Sequence, residues 1–307
     1  MHTFISGALP PASVAPELAR QLPALAPRLL GWFEQSHHES DEVSPHDLGC
    51  TPAEAWMLDR AGFRAGGSWK LGAGLGPLRA GVPPVAALEP IWIADLAYMA
   101  IGTDGARLGD TASLDVTEEE GRALLEAARS CLEASGFSAD FVAPGRWRMR
   151  LPPDFAFDAA SPAAASVGML EDWWPQTDAM RPWRRLLNEI QMVWHEHPIN
   201  EMREARGAPP VNGLWLYGGG RPWNVETNDD VHLNQLDAAQ RTGDWAAWLD
   251  ALPALDQAFG QISEQVSHLV LTGNDRWVLL APRHRAPLLA WLPKPKKNWN
   301  DWWHPRA

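Results

Sequence analysis

The side chains most able to do chemistry crowd into one stretch, Leu186 to Gly220, which reads LLNEIQMVWHEHPINEMREARGAPPVNGLWLYGGG. His195 and His197 flank Glu196, Asn200 and Asn212 supply amides, and Arg203 and Arg206 supply guanidiniums that can grip a phosphate or carboxylate bidentately. Gly218 and Gly220 let backbone approach a ligand closely. Such a set suits recognition of an anion. It also admits a plainer role, in which the polar groups pair with backbone and hold a proline-rich crossover together. The His-Glu-His triplet is not the HExxH spacing of a zinc protease. A second polar cluster, GWFEQSHHESDEVSPHDLGC, carries His37, His38 and His46 among carboxylates. Its composition could bind a divalent metal, but it has no fixed ligand spacing.

The elements that must position these residues follow from periodicity. Leu186, Leu187, Ile190, Val193 and Trp194 form one helical stripe, which Pro198 ends near His197. A second helix fits Asn200 to Arg206, stopped by Gly207, and GLWLY alternates like a strand before a glycine loop. Upstream, Thr3 to Leu9 reads as a strand and Glu17 to Phe33 as a helix, with 31–50 an irregular connection. Thr51, Pro52 and Glu54 begin a helix to Ala61 with a capping box. Gly72, Gly74 and Gly76 match neither the dinucleotide nor the Walker pattern and read as a connection. Ile91–Met99, Gly105–Leu108, Phe137–Val142 and Arg146–Leu151 read as strands around a capped helix, Thr117 to Ser135. After the central stretch, 221–237 reads as loop, Trp245 to Ile262 as helix, and His268–Thr272 and Trp277–Ala281 as strands.

Composition narrows the function. At 307 residues there is room for one large domain or two smaller ones. A formal charge of −12 and a pI near 5.3 argue against a nucleic-acid partner, and the basic run Lys294 to Lys297 is too short to alter that. No membrane-spanning run and no signal peptide are read. Cys50 and Cys131 make neither metal spacing nor disulfide framework, so the expectation is a cytoplasmic protein. Eighteen tryptophans are the oddity. They suit a core, or a surface on which sugars or aromatic ligands stack.

His197, Pro198, Asn200, Arg203, Gly207, Pro210, Asn212, Trp215, Gly218 and Gly220 carry a pattern that closely resembles a segment of the archaeal-type cofactor-independent phosphoglycerate mutases, members of the alkaline-phosphatase superfamily. The fuller run LLNEIQM–HEHP–N–REARG–PVN–LW–GGG resembles the bacterial RpfE-type regulatory proteins, as do Asp104 to Leu108 and Arg146-Trp147. The resemblance implies an α/β, alkaline-phosphatase-like three-layer core in residues 1–89 and 185–307, with a small α+β lobe inserted at 90–155 and a linker at 156–184. It also implies two divalent metals held by an Asp-Gly on the first strand, an Asp-x-x-x-His and a late Asp-His. The first strand instead reads Ile5-Ser6-Gly7, no histidine has an aspartate four residues before it, and Asp-His does not occur. Gly273-Asn274-Asp275 stands where the late pair belongs.

Two functions therefore stand side by side. One is a non-catalytic, degenerate mutase-like protein with a regulatory or binding role, without cofactor, taking a phosphorylated metabolite at His195, His197, Asn200, Arg203, Arg206, Asn212, Gly218 and Gly220, or a regulatory protein partner. The other is an active mutase or phosphatase with a rearranged Mn or Zn site drawn from Asp275, His37, His38 and His46, and Ser6 or Thr51 as nucleophile. Asp275, Asp229, Asp230 and His232 offer a further metal set.

Overall fold

The computed structural model describes residues 1–66, 69–81, 89–103, 105–153, 155, 157–174, 177–282 and 299–303. Asp104 and Lys294 to Lys297 lie outside them. The strands, in chain order, are β1 His2–Ile5, β2 Ser36–Glu42, β3 Ile91–Ala97, β4 Met99–Gly102, β5 Gly105–Leu108, β6 Ser138–Ala143, β7 Arg146–Arg150, β8 Gly213–Gly220, β9 Val231–Leu233, β10 His268–Thr272 and β11 Arg276–Pro282. The protein is mixed α/β and divides into two compact units: unit 1 is 1–44 with 227–307, and unit 2 is the intervening 45–226. Among the described residues no helix is long and apolar enough to cross a membrane.

Unit 1 is built on a five-stranded sheet, β2-β11-β10-β1-β9, with β1 parallel to both β10 and β9 and the remaining pairs antiparallel. The helix Trp245–Ile262 buries Trp248, Leu252, Leu255 and Phe259 against Leu29 and Phe33 and the strand residues Ile5, Leu269 and Leu271. The single helix expected over 17–33 is three, Ala15–Ala19, Leu22–Leu25 and Pro27–Gln35, because Pro16, Pro23 and Pro27 each fit only the first turn of a helix. Ala26 gives the third helix no side-chain cap, and Asp256 from the long helix accepts the Arg28 and Leu29 amides instead, each at 2.9 Å. SHHESDE, read as loop from its polarity, is the strand β2, paired along its length with β11. It is an edge strand, where exposed charge is the usual composition.

Unit 2 carries an antiparallel sheet, β6-β7-β3-β8, and the hairpin β4–β5. The helix Glu118–Ala134 has its expected capping box and buries Leu124, Leu125, Ala128 and Leu132. It packs on the helix Arg181–His195, whose Trp194 sends its indole N–H to the Leu124 carbonyl and meets Trp147 of β7 edge-on. β8 pairs with β3 from Gly213 to Gly220, so the lobe expected at 90–155 shares one sheet with residues assigned to the core at 185–307. The boundaries at 89/90, 155/156 and 184/185 therefore do not coincide with the compact units. Glycines 218–220 are strand, not loop. Gly218 adopts φ +96 and a Cβ there would lie 2.7 Å from Gly76 Cα, so these glycines let two backbones touch. The connection expected around Gly72–Gly76 is correspondingly helical, a 3-10 turn Leu71–Gly74 leading into Leu75–Ala80.

Candidate functional site

The His-Pro stretch folds as a tight crossover between the helix Arg181–His195 and β8. His197 stands just before the helix Pro198–Ala205 with extended backbone, and its Nδ1 accepts the Ile199 N–H at 3.2 Å. Asn200, buried, donates to the carbonyls of Trp194 and Val211 at 2.9 and 2.8 Å and accepts the Val211 N–H at 2.8 Å. Asn212 clasps both backbone groups of Met99 at 2.7 and 2.9 Å. Arg203 is wholly buried; it donates to the Pro209 carbonyl at 2.8 Å, to Glu120 at 2.8 Å and to the Leu114 carbonyl. Arg206, half exposed, reaches the other Glu120 oxygen at 2.7 Å, and His195 is exposed at the helix end.

These partners occupy most of the groups expected to hold an anion. Asn200, Arg203 and Asn212 are engaged by the chain itself, and Gly218 and Gly220 lie against the backbones of Gly76 and Ala73. Glu120 is the hub. Burial opposes its ionisation, but the Thr117 amide, Arg203 and Arg206 outweigh that and hold its carboxyl below the ordinary range.

The end of β1, where the resemblance implies a metal ligand, is closed in a different way. Four successive carbonyls are each capped by a side-chain donor: Gly7 by Trp248 at 2.7 Å, Ala8 by Trp303 at 3.0 Å, Leu9 by Gln240 at 2.7 Å and Pro10 by Arg276 at 2.7 Å. Ser6 is buried beside them, its amide on the Leu233 carbonyl. Asp275 is exposed in the β10–β11 turn and pairs with Arg276 at 3.0 Å. His38 stands opposite Leu280, five positions along β11 from Asp275, or about 17 Å at the usual strand rise. His37 is one step further, opposite Ala281. These do not form one ligand set with Asp275. His46 belongs to unit 2, stacked on Trp173 at 3.8 Å, and Thr51 is taken up as the cap of the helix Pro52–Arg60. His232 lies against Phe4, and Asp229 is exposed. Among the described residues no three His, Cys, Asp or Glu side chains gather as a metal site.

Two features of unit 2 were not anticipated. One is a buried ionic chain. Glu54 receives Arg79, Ser161 and the Thr51 amide; Arg79 donates to the Tyr217 hydroxyl at 2.9 Å; that hydroxyl donates to Asp95 at 3.1 Å; and Arg146 holds Asp95 through two bonds of 2.7 and 3.0 Å. Burial pushes the Tyr217 hydroxyl and the neighbouring Cys50 thiol well above their ordinary pKa values, so both stay protonated. Burial would lower Arg79, but Tyr217, Glu54 and Asp95 raise it on balance.

The other feature is a narrow cleft of about 10 Å³, about the room of one water molecule, walled by Trp173, Trp174, Trp183, Trp215, Phe157 and Met180. Trp174 and Trp215 meet edge-on at 5.8 Å. Trp215 donates its indole N–H to the Ala160 carbonyl at 2.8 Å, whereas the buried N–H of Trp174 has no acceptor among the described residues.

No family model matches the chain, and no curated protein matches it. Among solved structures it is similar to the PH0037 protein of Pyrococcus horikoshii, with a TM-score of 0.45 and 13% identity over 92% of this chain and 87% of that one. It is also similar to a cofactor-independent phosphoglycerate mutase of Thermoplasma acidophilum, with a TM-score of 0.34 and 14% identity over 92% of this chain and 89% of that one. Neither likeness assigns an activity, and neither bears on the RpfE-type proteins.

Proposed function

We propose that this chain is a binding protein without phosphoryl-transfer activity, in the regulatory sense that the RpfE-type resemblance implies. The observation that supports this most is the placing of the candidate ligands and nucleophile: Asp275 lies in the β10–β11 turn, five positions along β11 from the residue opposite His38, and Thr51 is taken up as a helix cap. The carbonyls at the end of β1 are likewise occupied by side-chain donors and are not free to join a ligand set. A phosphorylated metabolite at the His-Pro crossover would need Arg206 to leave Glu120, with Arg203 unable to follow.

The test uses one purified sample. Metal content and mutase turnover are measured with Mn²⁺, Co²⁺ and Zn²⁺. Neither stoichiometric metal nor turnover is the expected result. Stoichiometric metal with turnover would overturn it in favour of the mutase or phosphatase with a rearranged site.

A further inference from the structure

The five-stranded and four-stranded sheets end in edges of unequal quality. β9 closes one side of the unit 1 sheet with only three residues. In unit 2, β8 is buried along its whole length, and the pairing of β6 with β7 is irregular between Phe141 and Ala143. β2 has none of these protections. It runs seven residues, Ser36–Glu42, in unbroken register with β11, holds neither proline nor glycine, and is exposed from His37 to Glu42. Among the described residues it has a strand on one side only. Such an edge presents a row of backbone donors and acceptors to any extended chain that can approach it.

Charge decides which chain can approach. Alternation puts His37, Glu39 and Asp41 on one face of β2 and His38, Ser40 and Glu42 on the other. On the second face His38 stacks on Trp302, and Glu42 stands opposite Arg276. On the first, Glu39 and Asp41 stand opposite Leu279 and Trp277, and neither enters an ion pair among the described residues. Edge strands are commonly guarded by lysine. β2 has no lysine or arginine, and its unpaired acids leave charge of a single sign. Nucleic acid or an acidic lipid surface would be repelled, and a second copy would bring its own Glu39, Asp41 and Glu42 to the seam. An extended segment with Lys or Arg at alternate positions would set its cations across from Glu39 and Asp41, the arrangement that stabilises cross-strand pairs.

We propose that the outer edge of β2 is a docking site for an extended, Lys- or Arg-rich segment of a partner protein, which joins the sheet as a further strand with basic side chains across from Glu39 and Asp41. This goes beyond the function proposed above and does not depend on it: mutase turnover would leave the edge open to the same partner.

Three acetylated and amidated peptides test it on the full chain: KVKTKVK, its acidic counterpart EVETEVE, and KVKPKVK, which keeps the charge while its central proline disrupts a strand. Dissociation constants are measured together with hydrogen exchange across Ser36–Glu42. The expected result is that KVKTKVK binds and slows exchange in β2, that EVETEVE does neither, and that KVKPKVK gives no such protection. Glu39→Gln combined with Asp41→Asn should weaken KVKTKVK by about 2- to 30-fold, the worth of two opposite-charge cross-strand pairs. The peptide comparison needs no variant, so it stands even if the double substitution does not fold. Failure of KVKTKVK to bind would overturn the proposal. Equal binding of KVKTKVK and KVKPKVK without protection of β2 would also overturn it, leaving only the general attraction of an acidic protein for cations. Dimerisation that protects β2 in the free protein would give the edge to a second copy instead. Binding that appears only when Lys294, Lys296 and Lys297 are replaced by serine would give it to the chain's own basic run.

Discussion

Unit 2 contains two buried charge clusters that solve different problems. At the crossover, Arg203 joins separate stretches of backbone: its donors end on the carbonyls of Leu114 and Pro209 and on Glu120 at the start of another helix. In the chain from Glu54 to Arg146, side chains bond mostly to one another, and each carboxylate has more than one donor. The first cluster has no substitute for its central residue. The second is redundant. An arginine whose partners are carbonyls holds the chain's path, whereas one whose partners are carboxylates holds other side chains.

That difference can be broken by mutation. Arg203→Met should cost the most, about 3–5 kcal/mol in urea unfolding, since it strands two carbonyls and weakens the hold on Glu120. Arg79→Met should cost clearly less, about 2–3 kcal/mol, because Ser161 and the Thr51 amide still serve Glu54 and Arg146 still serves Asp95. Equal costs would erase the distinction. Tyr217→Phe removes one hydroxyl between Arg79 and Asp95 and should cost about 1–2 kcal/mol. Arg206→Ala, whose side chain is 48% exposed, should fall below about 1 kcal/mol.

Acid sharpens the same contrast. The Glu120 pKa is lowered in the folded state from its ordinary 4.5, so its ionised form contributes stability that is fully present above that value. The contribution is lost as pH falls through the lowered pKa. Glu120→Gln should be less stable than wild type near neutrality and should lack this part of the acid-induced loss. Parallel pH profiles for the two proteins between pH 6 and 3 would refute the assignment.

Much of this was legible where causes are local. The capping boxes at Thr51–Glu54 and Thr117–Glu120, the stripe 186–194 and the stop at Pro198 all depend on neighbours within a few residues and stand where spacing placed them, except that Val193 of the stripe is exposed. Among the polar residues of the His-Pro motif, contiguity revealed a site but not its purpose. Arg203 looks identical on paper whether it faces phosphate or the Leu114 carbonyl, which is 89 positions away. β2 was hidden because its polarity suits a loop and an edge strand equally, and only pairing with β11 decides. Glu54, Arg79, Asp95, Arg146, Ser161 and Tyr217 share no spacing at all. The cleft tryptophans were visible as an excess, and their convergence from three separate stretches was not.

The interleaving of the units has a consequence for synthesis. β1 leaves the ribosome before unit 2, yet its partners in the sheet are β9 and β10, which follow unit 2. Unit 2, continuous from 45 to 226, can complete itself while the first 44 residues still wait. At ordinary translation speeds of about 5–20 residues per second, that wait lasts roughly 10 to 50 s. Throughout it the apolar strand Thr3-Phe4-Ile5 has neither of its neighbours. A nascent-chain binder such as a chaperone would find its target there, and the yield of folded protein should depend more on that interval than on anything in the longer middle segment.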